Sequence, residues 1–257
     1  MNTFLFENII FGPIQSRRLG KSLGINLLPT KRKICNFNCI YCECGWTNNK
    51  HGFNSFPDPS QIKIELINKI CRLKKKSLNL DFISFTGNGE PTLHPTFDKV
   101  MFDVIAIRDI LIPNCKIAVF TNATMLHKQK VRSALSKSDL CMYKLDAGDK
   151  TLFKMINQPT GAINYNKIIK YLSANNEPVI LQSMFFKGIY NGNKINNTNS
   201  ASVDLWIEKV LDIMPKSVLL YTLDRNTPAK NLKRASRVEL LNIKKRLIQH
   251  NISAKVI

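Results

Sequence analysis

Ile34-Cys35-Asn36-Phe37-Asn38-Cys39-Ile40-Tyr41-Cys42-Glu43-Cys44-Gly45 decides the reading of this 257-residue chain. Cys35, Cys39 and Cys42 stand at a four-then-three spacing, short enough for three thiolates to turn toward one iron–sulfur cluster. A cube of four irons held by three sulfurs leaves one iron open to a ligand that is not protein. Zinc is the competing metal, with Cys44 as a fourth thiolate or His51 as an alternative ligand. Zinc sites more often join two separated Cys/His couples, and no second couple follows here. The spacing favours the cluster, with Cys44 a nearby thiol rather than a ligand.

Outward from this loop, apolar runs rich in β-branched and aromatic residues alternate with helical patterns. Strands are expected at 23–28, 81–86, 116–121, 140–145, 179–185 and 217–223, and helices at 60–75, 96–111, 128–136, 165–175, 203–214 and 235–249. Most of the strands read as continuous apolar runs, the mark of parallel strands covered on both faces. Val203, Trp206, Ile207, Val210, Leu211 and Met214 make the clearest helical stripe, which Pro215 ends. Six strand–helix units in strict alternation predict an α/β fold with a parallel sheet and right-handed crossovers. Residues 191–200 read as a polar loop, a lid or a free tip. No Gly/Pro/Ser-rich linker divides the chain. One domain over 1–257 is expected, with the cluster loop at 29–46 and a closing strand–helix unit at 217–257.

In folds of this class, sites gather where parallel strands end. Gly87-Asn88-Gly89-Glu90 follows the second candidate strand, with glycines that let backbone approach a ligand closely. Thr121 and Asn122 end the third and offer small hydrogen-bonding groups. Lys144 and Asp146, at alternate positions of the fourth, face one side of the sheet. A structural salt bridge explains that pair as well as a catalytic role does. Gln182 and Ser183 interrupt the apolar fifth strand and must find partners. Asp224 and Arg225 lead out of the sixth, the Arg suited to carboxylate or phosphate. Ser16-Arg17-Arg18-Leu19-Gly20 precedes the first strand, either as surface arginines or as part of the site. Cys71, Cys115 and Cys141 read as small core residues.

The formal net charge is +20, from 38 basic and 18 acidic residues. Such an excess suits a phosphate-bearing partner such as RNA. The basic residues are mostly lysine, however, and A/T-biased codons would enrich Lys, Asn and Ile without any partner. No run approaches the roughly 18 apolar residues of a membrane span, and residues 1–10 lack a basic n-region and a cleavage site. Seven unevenly spaced cysteines argue against a disulfide framework. A cytoplasmic monomer is expected.

With Tyr41 just before its last cysteine, the triplet resembles the CxxxCxxC signature of the radical S-adenosylmethionine (radical SAM) superfamily. The resemblance implies a partial (β/α)6 barrel over nearly the whole chain. It also implies a 4Fe–4S cluster on Cys35, Cys39 and Cys42, with S-adenosylmethionine chelating the open iron. An electron from a donor such as flavodoxin or ferredoxin would then split the cofactor, giving a 5′-deoxyadenosyl radical that takes hydrogen from a substrate. Gly87–Glu90 resembles the Gly-Gly-Glu element that receives the cofactor's amino group, with Asn88 in place of the first glycine and Gly89 and Glu90 matching. Tyr41, Asn88, Gly89, Glu90, Thr121, Asn122 and Gln182 are the cofactor-side candidates. Lys144, Asp146, Asp224 and Arg225 are the catalytic ones.

Residues 11–20, Cys44-Gly45, 87–92, 144–148 and 224–228 together look like a subgroup similar to the wyosine tRNA-base synthetases, which implies a tRNA base as substrate. Those enzymes use pyruvate, for which Lys144 is the candidate imine-forming residue, and they carry a second cluster on three further N-terminal cysteines. No cysteine precedes Cys35 here, so the pyruvate chemistry is not carried over. Two other readings stand beside RNA: an activase or maturase acting on a peptide or protein, and a non-catalytic metal- or RNA-binding scaffold.

Overall fold

The computed structural model describes residues 4–47 and 56–257; His51 lies outside them. Ten strands and seven α-helices follow in chain order: β1 (Ile10–Ser16), β2 (Gly20–Ile25), α1 (Pro59–Lys75), β3 (Phe82–Phe85), α2 (Phe97–Leu111), β4 (Lys116–Thr121), α3 (Gln129–Leu135), β5 (Leu140–Lys144), α4 (Lys150–Asn157), α5 (Tyr165–Ser173), β6 (Ile180–Tyr190), β7 (Asn193–Asn196), α6 (Ser200–Ile213), β8 (Ser217–Thr222), β9 (Leu232–Arg234), α7 (Arg237–Gln249) and β10 (Ala254–Val256). The main sheet runs β1-β2-β3-β4-β5-β6-β8-β10, parallel throughout except for the antiparallel β1–β2 hairpin. This is the α/β fold with a parallel sheet that the strand–helix alternation predicts.

Period-two alternation sorts the strand residues into two faces. Ile83, Phe85, Ile117, Val119, Leu181, Val218 and Leu220 are fully buried in the large core. The opposite face carries Phe82, Ala118, Phe120, Leu140, Met142, Ile180 and Leu219, which form a second, smaller cluster around Leu19. Leu19 belongs to the β1–β2 turn, so the hairpin reaches across to β8 and fills the inner side of a curled sheet. Arg17 of the same turn pairs with Asp224 after β8, at 3.1 Å. Arg17 therefore meets the loop after β8 while staying largely exposed, and Arg18 stacks on Tyr221 of β8.

Local signals fix the helices. Asp58 caps α1 ahead of Pro59, which has no N–H to leave unpaired. Ser236 and Glu239 form a reciprocal capping box on α7. Several expectations need correction. The first candidate strand (23–28) stops at Ile25, because Asn26 bonds both the N–H and the C=O of Leu28 and turns the chain. Residues 191–200 are not a free loop. Asn193–Asn196 pairs antiparallel with an extended β6, Asn197 bonds Phe186 N–H and the carbonyls of Asp146 and Met184, and Asn199 caps α6. Cys71 is exposed, one step off the buried Ile62-Leu66-Ile70-Leu73 stripe of α1. Helix α4 and strands β1, β7, β9 and β10 stand outside the expected set; β7, β9 and β10 are too short to show a period.

Candidate cluster and cofactor site

The cluster loop is stitched to the loop after β3. Ile34 N–H donates to the Asn88 carbonyl (2.9 Å) and Glu90 N–H to the Ile34 carbonyl (3.0 Å). Gly89 sits between them at φ +137°, where a Cβ would lie 1.8 Å from the Ile34 oxygen. Gly87, at φ +147°, likewise presses against the Asn26 side chain. These glycines are required by the closeness of two protein segments, whatever ligand also approaches.

Cys35, Cys39 and Cys42 line one cavity of about 450 Å³, within the ~300–1,000 Å³ span of small-molecule sites. Burial pushes the Cys35 thiol up to about 12 and raises Cys39 as well. Cys42 is held well below the usual thiol range by its hydrogen bond with Cys44 and by Lys33, against its own burial. Among the described residues no three His, Cys, Asp or Glu converge on a single-ion site. Three thiols on the wall of one cavity fit a four-iron cube, whose thiolates bind separate irons.

Lys33 is the residue the motif did not announce. It is 3% exposed, donates to the Gly45 carbonyl at 2.8 Å, and is charged beside all three thiols. Burial alone would lower its pKa; Cys42, Cys35 and Cys39 outweigh that and raise it. Asn157, on the short α4, is the second omission. Its Nδ2 donates to Cys39 Sγ (3.4 Å) and to Asp146 Oδ2 (2.8 Å). The Asp149 cap with Leu152, Phe153 and Ile156 was the available signal for that helix.

Glu90 lies wholly inside the protein yet receives four hydrogen bonds: Thr92 N–H (3.1 Å), Thr92 Oγ1 (2.5 Å), Thr121 Oγ1 (2.7 Å) and Asn122 N–H (2.6 Å). Burial still raises its pKa. Asn122 also donates to Asn36 Oδ1 (2.7 Å) and reaches toward Cys35 Sγ (3.8 Å). Thr121, Asn122, Gly89 and Glu90 thus meet on the cavity wall beside Cys35. The Asn88 side chain does not join them. It accepts from Phe6 N–H (2.8 Å) and donates to the Phe6 and Pro29 carbonyls (both 2.9 Å), a buried strut between the N-terminal segment and the cluster loop.

Lys144 and Asp146 do face one side together, 3.5 Å apart, with the Tyr41 hydroxyl between them. That hydroxyl donates to Asp146 Oδ2 and accepts from Lys144 Nζ at 2.5 Å. Tyr41 is therefore tied by its oxygen into a buried network, while its ring lies edge-on to Phe186 and lines the cavity. Asp146 Oδ1 also accepts from Met184 N–H (2.9 Å). Burial alone would lower the Lys144 pKa, but Asp146 raises it well above the ordinary value. A lysine held protonated is the opposite of an imine-forming amine. Gln182 lines the same cavity and donates to the Met142 carbonyl (3.4 Å).

At the rim, Asp224 pairs with Arg17 and Arg225 with Glu43 (2.9 Å). Both pairs line the cavity mouth, and Ala229 N–H bonds the Ile40 carbonyl (3.1 Å), anchoring the loop after β8 on the cluster loop. The exposed Trp46 ring lies 6.0 Å from that of Tyr190.

The profile described as "Radical SAM superfamily" matches residues 32–191, from Lys33's neighbour through the cysteines to the end of β6. The chain belongs to the radical SAM superfamily. Membership brings with it a 4Fe–4S cluster and S-adenosylmethionine as cofactors. A UPF0026 protein of Helicobacter pylori J99 is 30% identical over 86% of the chain and 68% of its own length. UPF0026 protein MJ1312 of Methanocaldococcus jannaschii is 36% identical over 65% of the chain and 49% of its own. The chain spans about a third to two thirds of the length of the curated relatives it matches. Its fold is also that of a radical SAM methyltransferase from Sphaerobacter thermophilus (TM-score 0.65, 15% identity, 92% of this chain and 65% of that one). Archaeal TYW1 shares it too (TM-score 0.57, 13% identity, 89% and 71%). Among the described residues no helix is long and apolar enough to cross a membrane.

Proposed function

We propose that this protein is a radical S-adenosylmethionine enzyme that modifies an RNA base, with tRNA the first candidate substrate. The observation that carries the enzymatic part is the convergence of the three motif cysteines and the four-times-bonded Glu90 on one cavity. Cys35, Cys39 and Cys42 would hold three irons of the cluster. Gly89, Glu90, Thr121, Asn122 and Gln182 would face the cofactor, with Tyr41 bounding its side. The bound group supplies reductive cleavage of a carbon–sulfur bond and a 5′-deoxyadenosyl radical. The residues supply placement and exclusion of water. Lys144 and Asp146 close the floor as a charged pair, and Asp224 and Arg225 stand where a substrate would enter. Electrons would come from a low-potential protein such as flavodoxin or ferredoxin.

The +20 charge supports RNA over a peptide, because counterion release rewards clustered cations on a phosphate backbone. Two measurements test the reading. Cluster-loaded protein with reductant should release 5′-deoxyadenosine and methionine. Modified nucleosides in tRNA from cells with and without the protein should then differ at one species. Cleavage with unchanged tRNA would shift the substrate to a peptide or protein, and no cleavage would end the enzymatic reading.

A further inference from the structure

We propose that Arg18 forms an anion-binding subsite in the cavity wall, gripping a carboxylate or phosphate oxygen pair of the substrate. The inference rests on the cavity being the active site of a radical SAM enzyme, and it starts from an inventory of charge. Among the described residues, five basic side chains line the cavity, and four are matched. Arg17 meets Asp224, Arg225 meets Glu43, Lys144 meets Asp146, and Lys33 faces the three thiols and the Gly45 carbonyl. Arg18 is the exception. Among the described residues its guanidinium makes no ion pair or hydrogen bond, and its Nε is buried with no partner.

What holds Arg18 is aromatic. Its guanidinium carbon lies 4.4 Å from the centre of the Tyr221 ring and 5.7 Å from that of Phe120. Stacking fixes the plane of the group while using none of its N–H donors. A buried donor without a partner is costly to keep, so a residue so placed has a reason to be there. Filling the lumen is not that reason, because the adjacent Leu19 already packs there with Ala118 and Met142. A rigid fork aimed into a cavity matches two oxygens on one carbon or phosphorus atom.

Arginine footprinting with phenylglyoxal, read by mass spectrometry on the wild-type, cluster-loaded protein, tests this directly. With S-adenosylmethionine bound, inorganic phosphate or acetate should slow labelling of Arg18 at least threefold over chloride at equal ionic strength. Labelling of the exposed Arg237 should not change. Protection by acetate alone assigns a carboxylate-bearing substrate, and protection by phosphate alone assigns a nucleotide or other phosphoester. Equal labelling in all three salts overturns the subsite. Full protection by S-adenosylmethionine alone also overturns it, since Arg18 then serves the cofactor. Arg18→Lys keeps the charge and loses the fork. It should weaken whichever anion protects by about tenfold in calorimetric titration, and an unchanged affinity counts against the proposal. Failure of 5′-deoxyadenosine release would instead defeat the radical reading, and the footprint would still report on the subsite.

Discussion

Around Glu90 the polar groups are buried and partnered several times over, whereas at the rim Arg17–Asp224 and Arg225–Glu43 are single pairs whose side chains are 40–60% exposed. The first arrangement is preorganised. Thr92, Thr121 and Asn122 hold the carboxylate before any ligand arrives, and Asn157 and Asn122 reach the cysteine sulfurs from two sides. The second is adaptable, because exposed pairs contribute little to folding and exchange partners cheaply. A cofactor common to a whole superfamily suits a rigid floor. A particular substrate suits a rim that can be rewritten without unfolding the protein.

The sharpest way to break this contrast is at the floor. Cys39→Ala should abolish the brown absorbance of the reconstituted cluster and all release of 5′-deoxyadenosine. Retention of the absorbance would mean that the cube is held elsewhere. Asn88→Ala comes next. It strands the Phe6 N–H and the carbonyls of Phe6 and Pro29, at about 1–3 kcal/mol per group left unpaired in the interior. Water can reach part of that site, so a loss of about 2–4 kcal/mol in urea unfolding is expected. A loss below about 0.5 kcal/mol would show that the strut carries no load.

These two residues also show what the sequence could and could not reveal. The cysteine spacing and the strand–helix alternation are local patterns, and β4 matches its expected range residue for residue. Asn88 was legible as a strand-end polar group but not in its direction. Its partners, Phe6 and Pro29, lie 82 and 59 residues away in sequence. Lys33 sits two residues before Cys35 and read as one more basic residue in a basic chain, since its burial depends on a carbonyl twelve positions on. The β1–β2 hairpin was hidden because its inward residues answer to β8, at the other end of the chain. Period-two reasoning did succeed over a short reach, since Lys144 at the end of β5 and Asp146 just beyond it face one side together.

A smaller effect is expected where the β6–β7–β9 extension of the rim is fastened to α7. Glu239 is partly buried, which alone would raise its pKa. Its bond from Lys187 (2.8 Å), with those from Ser236 and Thr198, takes it from the ordinary 4.5 down to about 2. A carboxylate lowered on folding adds stability that is complete above about pH 4.5 and is lost as pH falls toward 2. Glu239→Gln should therefore cost about 1 kcal/mol at neutral pH, and the gap to wild type should close as the solution is acidified. A gap that stays constant from pH 7 to pH 2 would place the effect in packing instead.

Arg225→Ala is the smallest change in stability and the one that separates the two regions most cleanly. The pair with Glu43 is exposed on both sides, so its removal should shift the urea midpoint by less than about 1 kcal/mol. The cluster loop has other anchors, the Ile34–Gly89 bridge and the Ala229–Ile40 hydrogen bond, so cluster content should stay at the wild-type level. If the rim serves the substrate, cofactor cleavage without substrate persists while the yield of modified product falls. Loss of cluster assembly in this variant would mean that Arg225 supports the floor, and the division between a rigid floor and an adaptable rim would have to be redrawn around the Glu43 side of the loop.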